Sequence, residues 1–172
     1  MPKSLITLIR FIDSISIWSG KLIAWLIVPM VAGLVYEVVA RYVFSAPTEW
    51  AYDMTYMLYG SFFMLGSAFT LQRKGHIRTD ILYANWSPRR QGMVDAVCYA
   101  LFFFPGLIAF AVVSWDFFWV ALQRGERIVT SPWMPIVYPF KGVLPAAMLL
   151  LLLQGLSEFL KSMHAAIKGE WP

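Results

Sequence analysis

The sequence has 172 residues, of which 59% are hydrophobic and 14% are charged. Soluble domains carry about 25% charged residues, and the mean hydropathy of +0.63 argues against an ordinary water-exposed surface. Disorder is excluded because disordered chains combine low hydrophobicity with high net charge. The one cysteine, Cys98, excludes an intramolecular disulfide framework and a cysteine-rich zinc site. The net charge of +4 would indicate nucleic-acid binding only if the basic residues formed a patch.

Four apolar stretches approach the length of about 20 residues that a helix needs to cross a membrane. They predict an all-α membrane protein of one domain, residues 1–172, with four transmembrane helices at about 22–41, 49–71, 94–119 and 137–160. Thr48 followed by Glu49 predicts the N-cap of the second span. Pro29 and Pro105 are expected to kink the first and third spans.

Residues 1–21 precede the first span and separate polar from apolar side chains at helical spacing. Lys3 and Arg10 belong to the polar set, whereas Leu8 and Ile12 belong to the apolar set. This pattern predicts an amphipathic helix that lies along the cytoplasmic membrane surface. The alternative is a simple N-terminal extension of the first span.

The basic residues are unevenly divided between the two sides of the predicted membrane. Ten of the 14 lie on the side that holds both termini, and four lie on the other side. The positive-inside rule therefore predicts that both termini are cytoplasmic. The eight tryptophans fall near the predicted interfaces, where membrane proteins carry aromatic belts. The excess of positive charge thus orients the chain in lipid, and no nucleic-acid partner is expected.

Residues that could carry catalysis are few. The chain has no glycine-rich phosphate loop, no Ser-His-acid set and no pair of metal-ligand histidines. Its two histidines, His76 and His164, lie outside the predicted spans, which argues against a haem held between them. His76 and Asp80 have helical i,i+4 spacing, but a solvated loop is the better interpretation of that pair. We therefore expect no enzyme activity, no metal and no cofactor.

Ionisable residues inside membranes are functional candidates. Glu37 is the one acid expected to be buried within a span, one turn from its outer end, and Arg41 follows at the spacing of a helical ion pair. A local pair that reaches the surface is favoured over a proton relay, and both stay open. Asp53 lies in the first turns of the second span, and Asp95 and Asp116 bracket the third. The membrane centre is therefore expected to be free of charge, which favours an accessory subunit that packs through small residues, as in Gly66-x-x-x-Thr70 and Gly142-x-x-x-Ala146.

Several strings resemble one transporter family. The sequence reads RYVF at 41–44, PTEW at 47–50 with an acid at Asp53, GHIRTD at 75–80 and LLLQG at 151–155. Their order and placement resemble the small permease subunits of the tripartite ATP-independent periplasmic (TRAP) transporters of bacteria and archaea, the DctQ-like family. Many relatives carry glutamate where this chain has Asp53, and the charge is kept.

The resemblance covers about residues 36–158 and implies a role in a multi-subunit complex. In that family a large membrane subunit carries the substrate and sodium sites, and a periplasmic substrate-binding protein delivers the substrate. The resemblance therefore implies that this chain packs against and stabilises the large subunit in the cytoplasmic (inner) membrane. It further implies uptake of an organic acid driven by a sodium gradient, with a 2-oxo or other monocarboxylic acid favoured.

No residue of this chain is expected to bind substrate. The residues expected to contact a partner or to form a structural motif are Glu37, Arg41, Glu49, Trp50, Asp53, His76, Arg78, Asp80 and Lys141. Those from 49 to 53 lie at the outer surface, where they contact a partner or simply anchor the start of a helix. Those from 76 to 80 brace the cytoplasmic side or form a local turn network.

Two other functions stay open from the sequence. One is a self-sufficient, homo-oligomeric small transporter or channel that uses Glu37 as its ion site. The other is a membrane anchor subunit of an enzyme complex. Copurification distinguishes them, because an accessory subunit requires a large polytopic partner and transports nothing alone.

Overall fold

The computed structural model describes residues 3–75, 83 and 85–171. The helices with bounds in the described ranges are α1 (Lys3–Ala24), α2 (Ile27–Tyr42), α3 (Ala51–Gln72), α4 (Pro88–Cys98), α5 (Phe104–Arg124) and α6 (Tyr138–Lys168). A π-helical turn, Tyr99–Phe103, joins α4 to α5. Within these described ranges the single element of β pairing is an isolated bridge between Arg127 and Ile136. The all-α prediction is confirmed.

Proline residues locate the two interruptions in the long helices. A proline ring collides with the carbonyl group four residues before it and lacks an N–H group. Pro29 therefore conflicts with Trp25, and a turn at Trp25 and Leu26 separates α1 from α2. The π turn ends just before Pro105, and there the N–H of Phe104 bonds to the carbonyl of Tyr99. Such turns widen a helix locally and accommodate the lost hydrogen bond.

The start of α3 differs from the prediction. The helix begins at Ala51 after Trp50, and no side chain caps it. Thr48 and Glu49 precede the helix, and the Thr48 hydroxyl donates to Glu37 on α2. The N-cap prediction for Thr48 is therefore wrong, because a carboxylate on a neighbouring helix takes the hydroxyl group that would have capped α3.

Four long helices stand in a row in the order α2, α3, α6, α5. Each packs along its neighbour in this order, whereas α2 with α6 and α3 with α5 form at most marginal contacts. In the most apolar 18-residue segment of each helical stretch, 33% of the residues are buried in α6, but only 11% in the α4–α5 stretch and 6% in α1–α2. The central helix α6 therefore carries most of the packing, and α2 and α5 form the two edges.

The N-terminal helix α1 packs on α3 and on α6. It buries Ile9, Ile12, Ser16 and Ile23, which recur at helical spacing and form one face. On the adjacent face the side chains of Phe11 and Trp18 are exposed. The apolar side of α1 thus contacts the row, and its placement along a membrane surface stays a prediction.

Three helical stretches of the described chain are long and apolar enough to cross a membrane: Ser4–Tyr42, Pro88–Arg124 and Tyr138–Lys168. They contain the first, third and fourth predicted spans. The second predicted span corresponds to α3, which has 22 residues and therefore sufficient length. Its tyrosine, serine, threonine and glycine residues lower its hydropathy. The total of four spans and the cytoplasmic termini stay predictions.

Two glycines permit close approach to α6. A Cβ atom on Gly92 of α4 would lie 2.6 Å from the backbone nitrogen of Ala166 and 2.6 Å from the carbonyl oxygen of Ser162. Gly155 of α6 faces Phe103, whose ring would lie 2.2 Å from an added Cβ atom. These contacts fix the position of the α4–α5 stretch along α6.

Candidate functional site

Glu37 on α2 binds the connection that leads to α3. One of its carboxylate oxygens, Oε1, accepts from the Arg41 guanidinium, with Nε at 2.8 Å. The other, Oε2, accepts from the backbone N–H of Thr48 at 2.8 Å and from the Thr48 hydroxyl group. Four donors therefore surround this carboxylate. It holds the connection in place and also pairs locally with Arg41.

Trp50 lies beside the same connection. Its ring stacks on Tyr36 with a centroid separation of 5.8 Å, and it passes over Gly33 at 3.7 Å from an ideal Cβ position. Glu49 is exposed next to it. The structure thus brings together Glu37, Arg41 and Trp50 at the C-terminal end of α2.

Asp53 occupies a separate position at the start of α3. It is 7% exposed, and its Oδ2 accepts a hydrogen bond from the Ser131 hydroxyl group. The Ser131 oxygen in turn accepts from the backbone N–H of Trp133 at 3.3 Å. Asp53 therefore fastens the loop between α5 and α6 to α3, across 78 residues of sequence.

Lys141 lies in the first turn of α6 and closes the same loop from the other side. Its ammonium nitrogen is 2.7 Å from Glu126 Oε2 and 3.8 Å from the ring centroid of Phe117. A cation over an aromatic face is stabilised by the ring quadrupole. Lys141 therefore points to a loop carboxylate and an α5 ring. The remaining sequence-predicted residues, His76, Arg78 and Asp80, lie outside the described residues.

A polar cluster that the sequence reasoning missed joins α1 to α6. Lys161 donates to Asp13 Oδ2 at 2.8 Å and to Glu158 Oε1 at 2.7 Å. Asp13 Oδ1 also accepts from Ser157 at 2.7 Å and from Gln154 at 3.0 Å. Gln154, Ser157 and Glu158 are 0%, 0% and 3% exposed. The Oε1 atom of Gln154 is buried and has no hydrogen-bond partner within the described chain.

The sequence did contain a signal for this cluster. Residues 154, 157, 158 and 161 have i, i+3, i+4 and i+7 spacing, which places all four on one face of α6. Polar residues that share a face of an otherwise apolar helix indicate a polar neighbour. The partner, Asp13, is 141 residues from Gln154, and no local pattern identifies it. Among the described residues, no three His, Cys, Asp or Glu side chains lie close enough to hold a metal ion.

Replacing Glu37 by glutamine tests the anchoring of the α2–α3 connection. Glutamine removes the negative charge that pairs with Arg41. Its amide N–H₂ group also faces either Arg41 or Thr48, which are themselves donors, so the α2–α3 connection should be held less firmly. A spin label at Ser45 in a Cys98→Ser background should become more mobile in Glu37→Gln. The matched control is Glu49→Gln, because Glu49 is exposed and bonds to no residue in the part of the chain that the structure describes. Equal mobility in both variants would refute the anchoring role.

Long apolar helices, with polar anchors near both ends of the helices, define a small polytopic membrane protein. The family model described as "Tripartite ATP-independent periplasmic transporters, DctQ component" matches residues 30–165. The chain therefore belongs to the DctQ family and is the small membrane component of a TRAP transporter. The resemblance of its strings to that family is confirmed, and the family is one of transporter components. Neither a curated protein nor a solved structure matches the chain.

Proposed function

We propose that this chain packs against the large transport subunit of a TRAP transporter and stabilises it in the cytoplasmic membrane. The complex takes up an organic acid that a periplasmic binding protein delivers, and a sodium gradient drives the uptake. The sodium and substrate sites lie on the large subunit. A 2-oxo or other monocarboxylic acid is the proposed substrate class.

The observation that carries this proposal is the open row of helices. Sites of secondary transporters lie near the membrane midplane between repeats with broken helices, whereas the pockets among the described helices are open to the surface. The accessible surface of the chain is 11267 Å². A compact protein of 19.7 kDa exposes about 8,600 Å². The additional surface suits a chain that is completed by a neighbour in the membrane.

The proposed topology has four spans with cytoplasmic termini, and the orientation is supported by the uneven division of basic residues between the two sides. The helix α3 lies between α2 and α6, so it crosses the membrane if its two neighbours do. Because α3 has helices on two sides, less of its surface faces lipid, and this offsets its lower hydropathy. In this topology Glu37, Asp53 and Lys141 lie near the outer surface, and the Asp13–Lys161 cluster lies toward the cytoplasmic side.

The outer surface offers two residues for contact with a partner. Glu49 is exposed and Trp50 is partly exposed, so both remain available after the internal contacts of the connection have formed. Asp53 is engaged with Ser131, and it acts on a partner indirectly by holding the α5–α6 loop. On the cytoplasmic side His76, Arg78 and Asp80 are proposed to brace the complex.

Copurification and reconstitution test the proposal together. The tagged chain, expressed with its cognate large subunit, should elute with that subunit as one species in mild detergent. Proteoliposomes that hold both subunits should show binding-protein-dependent, sodium-dependent uptake from a panel of dicarboxylates, 2-oxo acids and sugar acids. Proteoliposomes that hold this chain alone should show none. Sodium-independent uptake by the chain alone, or no association with the large subunit, would contradict the proposal.

A further inference from the structure

An apolar groove of ≈ 590 Å³ opens between the outer halves of α5 and α6. Its volume is within the range of about 300–1,000 Å³ for pockets that hold small ligands, and it is open to the surface of the chain. The side chains that line it include Val112, Trp115 and Asp116 of α5 and Pro145, Ala146 and Leu149 of α6. All of these side chains except Pro145 are exposed. The surface is therefore uncovered in the isolated chain.

The groove carries one charge, Asp116. This residue is exposed, and it forms no hydrogen bond or ion pair with any residue in the described ranges. It lies eight residues before the end of α5 at Arg124, which at 1.5 Å per residue is about 12 Å along the helix axis. The Lys141 ammonium lies over the ring of Phe117, the residue after Asp116, but it pairs with Glu126 at 2.7 Å.

An acid in this position favours a cationic neighbour. Lipid chains cannot pair with a carboxylate, and acidic residues in membrane helices therefore pair with other groups or face water. Ala146 lies on the opposite wall, where a small side chain lets a second helix approach the backbone closely. Charge and shape at the groove thus match a helix that presents a basic side chain.

We propose that this groove seats a transmembrane helix of the large TRAP subunit and that a lysine or arginine of that helix pairs with Asp116. The inference rests on the proposed function, because it names the surface through which the small subunit binds the large one. The edge position of α5 makes this possible, since α5 packs against α6 and leaves its other sides exposed.

Two variants test the groove by charge and by shape. Asp116→Asn removes the charge and should lower the affinity for the large subunit about tenfold or more, as truncation of one partner of a desolvated pair does. Ala146→Leu fills the groove and should reduce the recovered complex to a similar extent. The matched controls are Glu170→Gln, an exposed acid at the cytoplasmic end, and Ala32→Leu, an exposed alanine on α2 at the other edge of the row.

A photo-crosslinking amino acid at Val112 gives an independent readout. Val112 lines the groove, and Val113, its neighbour in sequence, is exposed but does not line it. A crosslink to the large subunit is expected from position 112 and not from 113. Each variant expressed alone should elute as the wild-type chain does, which shows that a loss of complex is not a loss of folding.

The outcomes separate this proposal from the proposed function. If the wild-type complex forms and both groove variants recover it fully, lipid covers the groove and the docking proposal is overturned while the proposed function stands. A crosslink from position 112 to a second copy of this chain also overturns it. If the wild-type chain does not bind the large subunit at all, the proposed function fails first.

Discussion

Replacing Gly92 by alanine is expected to destabilise the protein by about 3 kcal/mol, the upper end of the cost of overpacking a close contact. Glycine to alanine in a helix interior normally stabilises by about 1 kcal/mol, so the sign of the effect is diagnostic. The reason is the crossing of α4 and α6, where an added Cβ atom would lie 2.6 Å from two backbone atoms of α6. Backbone atoms cannot rotate away, and the two helices must separate.

Reversible unfolding in mixed detergent micelles, followed by the fluorescence of the eight tryptophans, measures this effect. The matched control is Gly106→Ala in α5, where an added Cβ atom meets nothing within 4 Å. The control should stay within about 1 kcal/mol of wild type. Equal free energies of unfolding for the two variants would show that α4 and α6 are not in close contact at Gly92.

Replacing Lys161 by methionine is the second large effect. The variant leaves Asp13 and Glu158 close together without their shared cation, and breaking a buried ion pair costs about 3–5 kcal/mol. We expect a loss of about 3 kcal/mol, at the low end of that range, because the side chains of Lys161 and Asp13 are 17% and 20% exposed. The same unfolding measurement tests it, and α1 should detach from α6 first.

The control for this variant is Lys168→Met, which removes an exposed cation at the end of the same helix. Its cost should be limited to about 0.3–1 kcal/mol from the helix dipole. A double variant, Asp13→Asn with Lys161→Met, should be more stable than Lys161→Met alone, because it removes one of the two uncompensated carboxylates. Additive losses in the double variant would contradict the cluster.

Features that depend on local chemistry could be predicted from the sequence. The presence of three long apolar helical stretches follows from runs of apolar residues, and the break before Pro29 follows from the geometry of proline. The spacing of Glu37 and Arg41 on one helix face makes their contact predictable as well. Each of these depends on residues a few positions apart.

Features that depend on distant residues could not be predicted. The pairs Asp53–Ser131 and Asp13–Lys161 are separated by 78 and 148 residues. A helical pattern shows which face of a helix is polar, but it does not show which helix meets that face. The order of helices in the row could not be predicted either, because apolar helices of similar composition can pack in many orders. The Thr48 hydroxyl group likewise bonds to Glu37 on a neighbouring helix and not to the N-terminus of α3, and the local sequence did not show that this acceptor would be near.

The turn at Trp25 and Leu26 has a mechanical consequence. The regular hydrogen-bond pattern of the helix is interrupted there. Bending at this turn is therefore easier than bending within α1 or within α2. Helix α1 is held against α6 by the ion pair between Asp13 and Lys161, and α2 is held to the α2–α3 connection by Glu37. Because each helix is fixed at a point away from the turn, we expect a change in the angle between α1 and α2 to occur at Trp25 and Leu26.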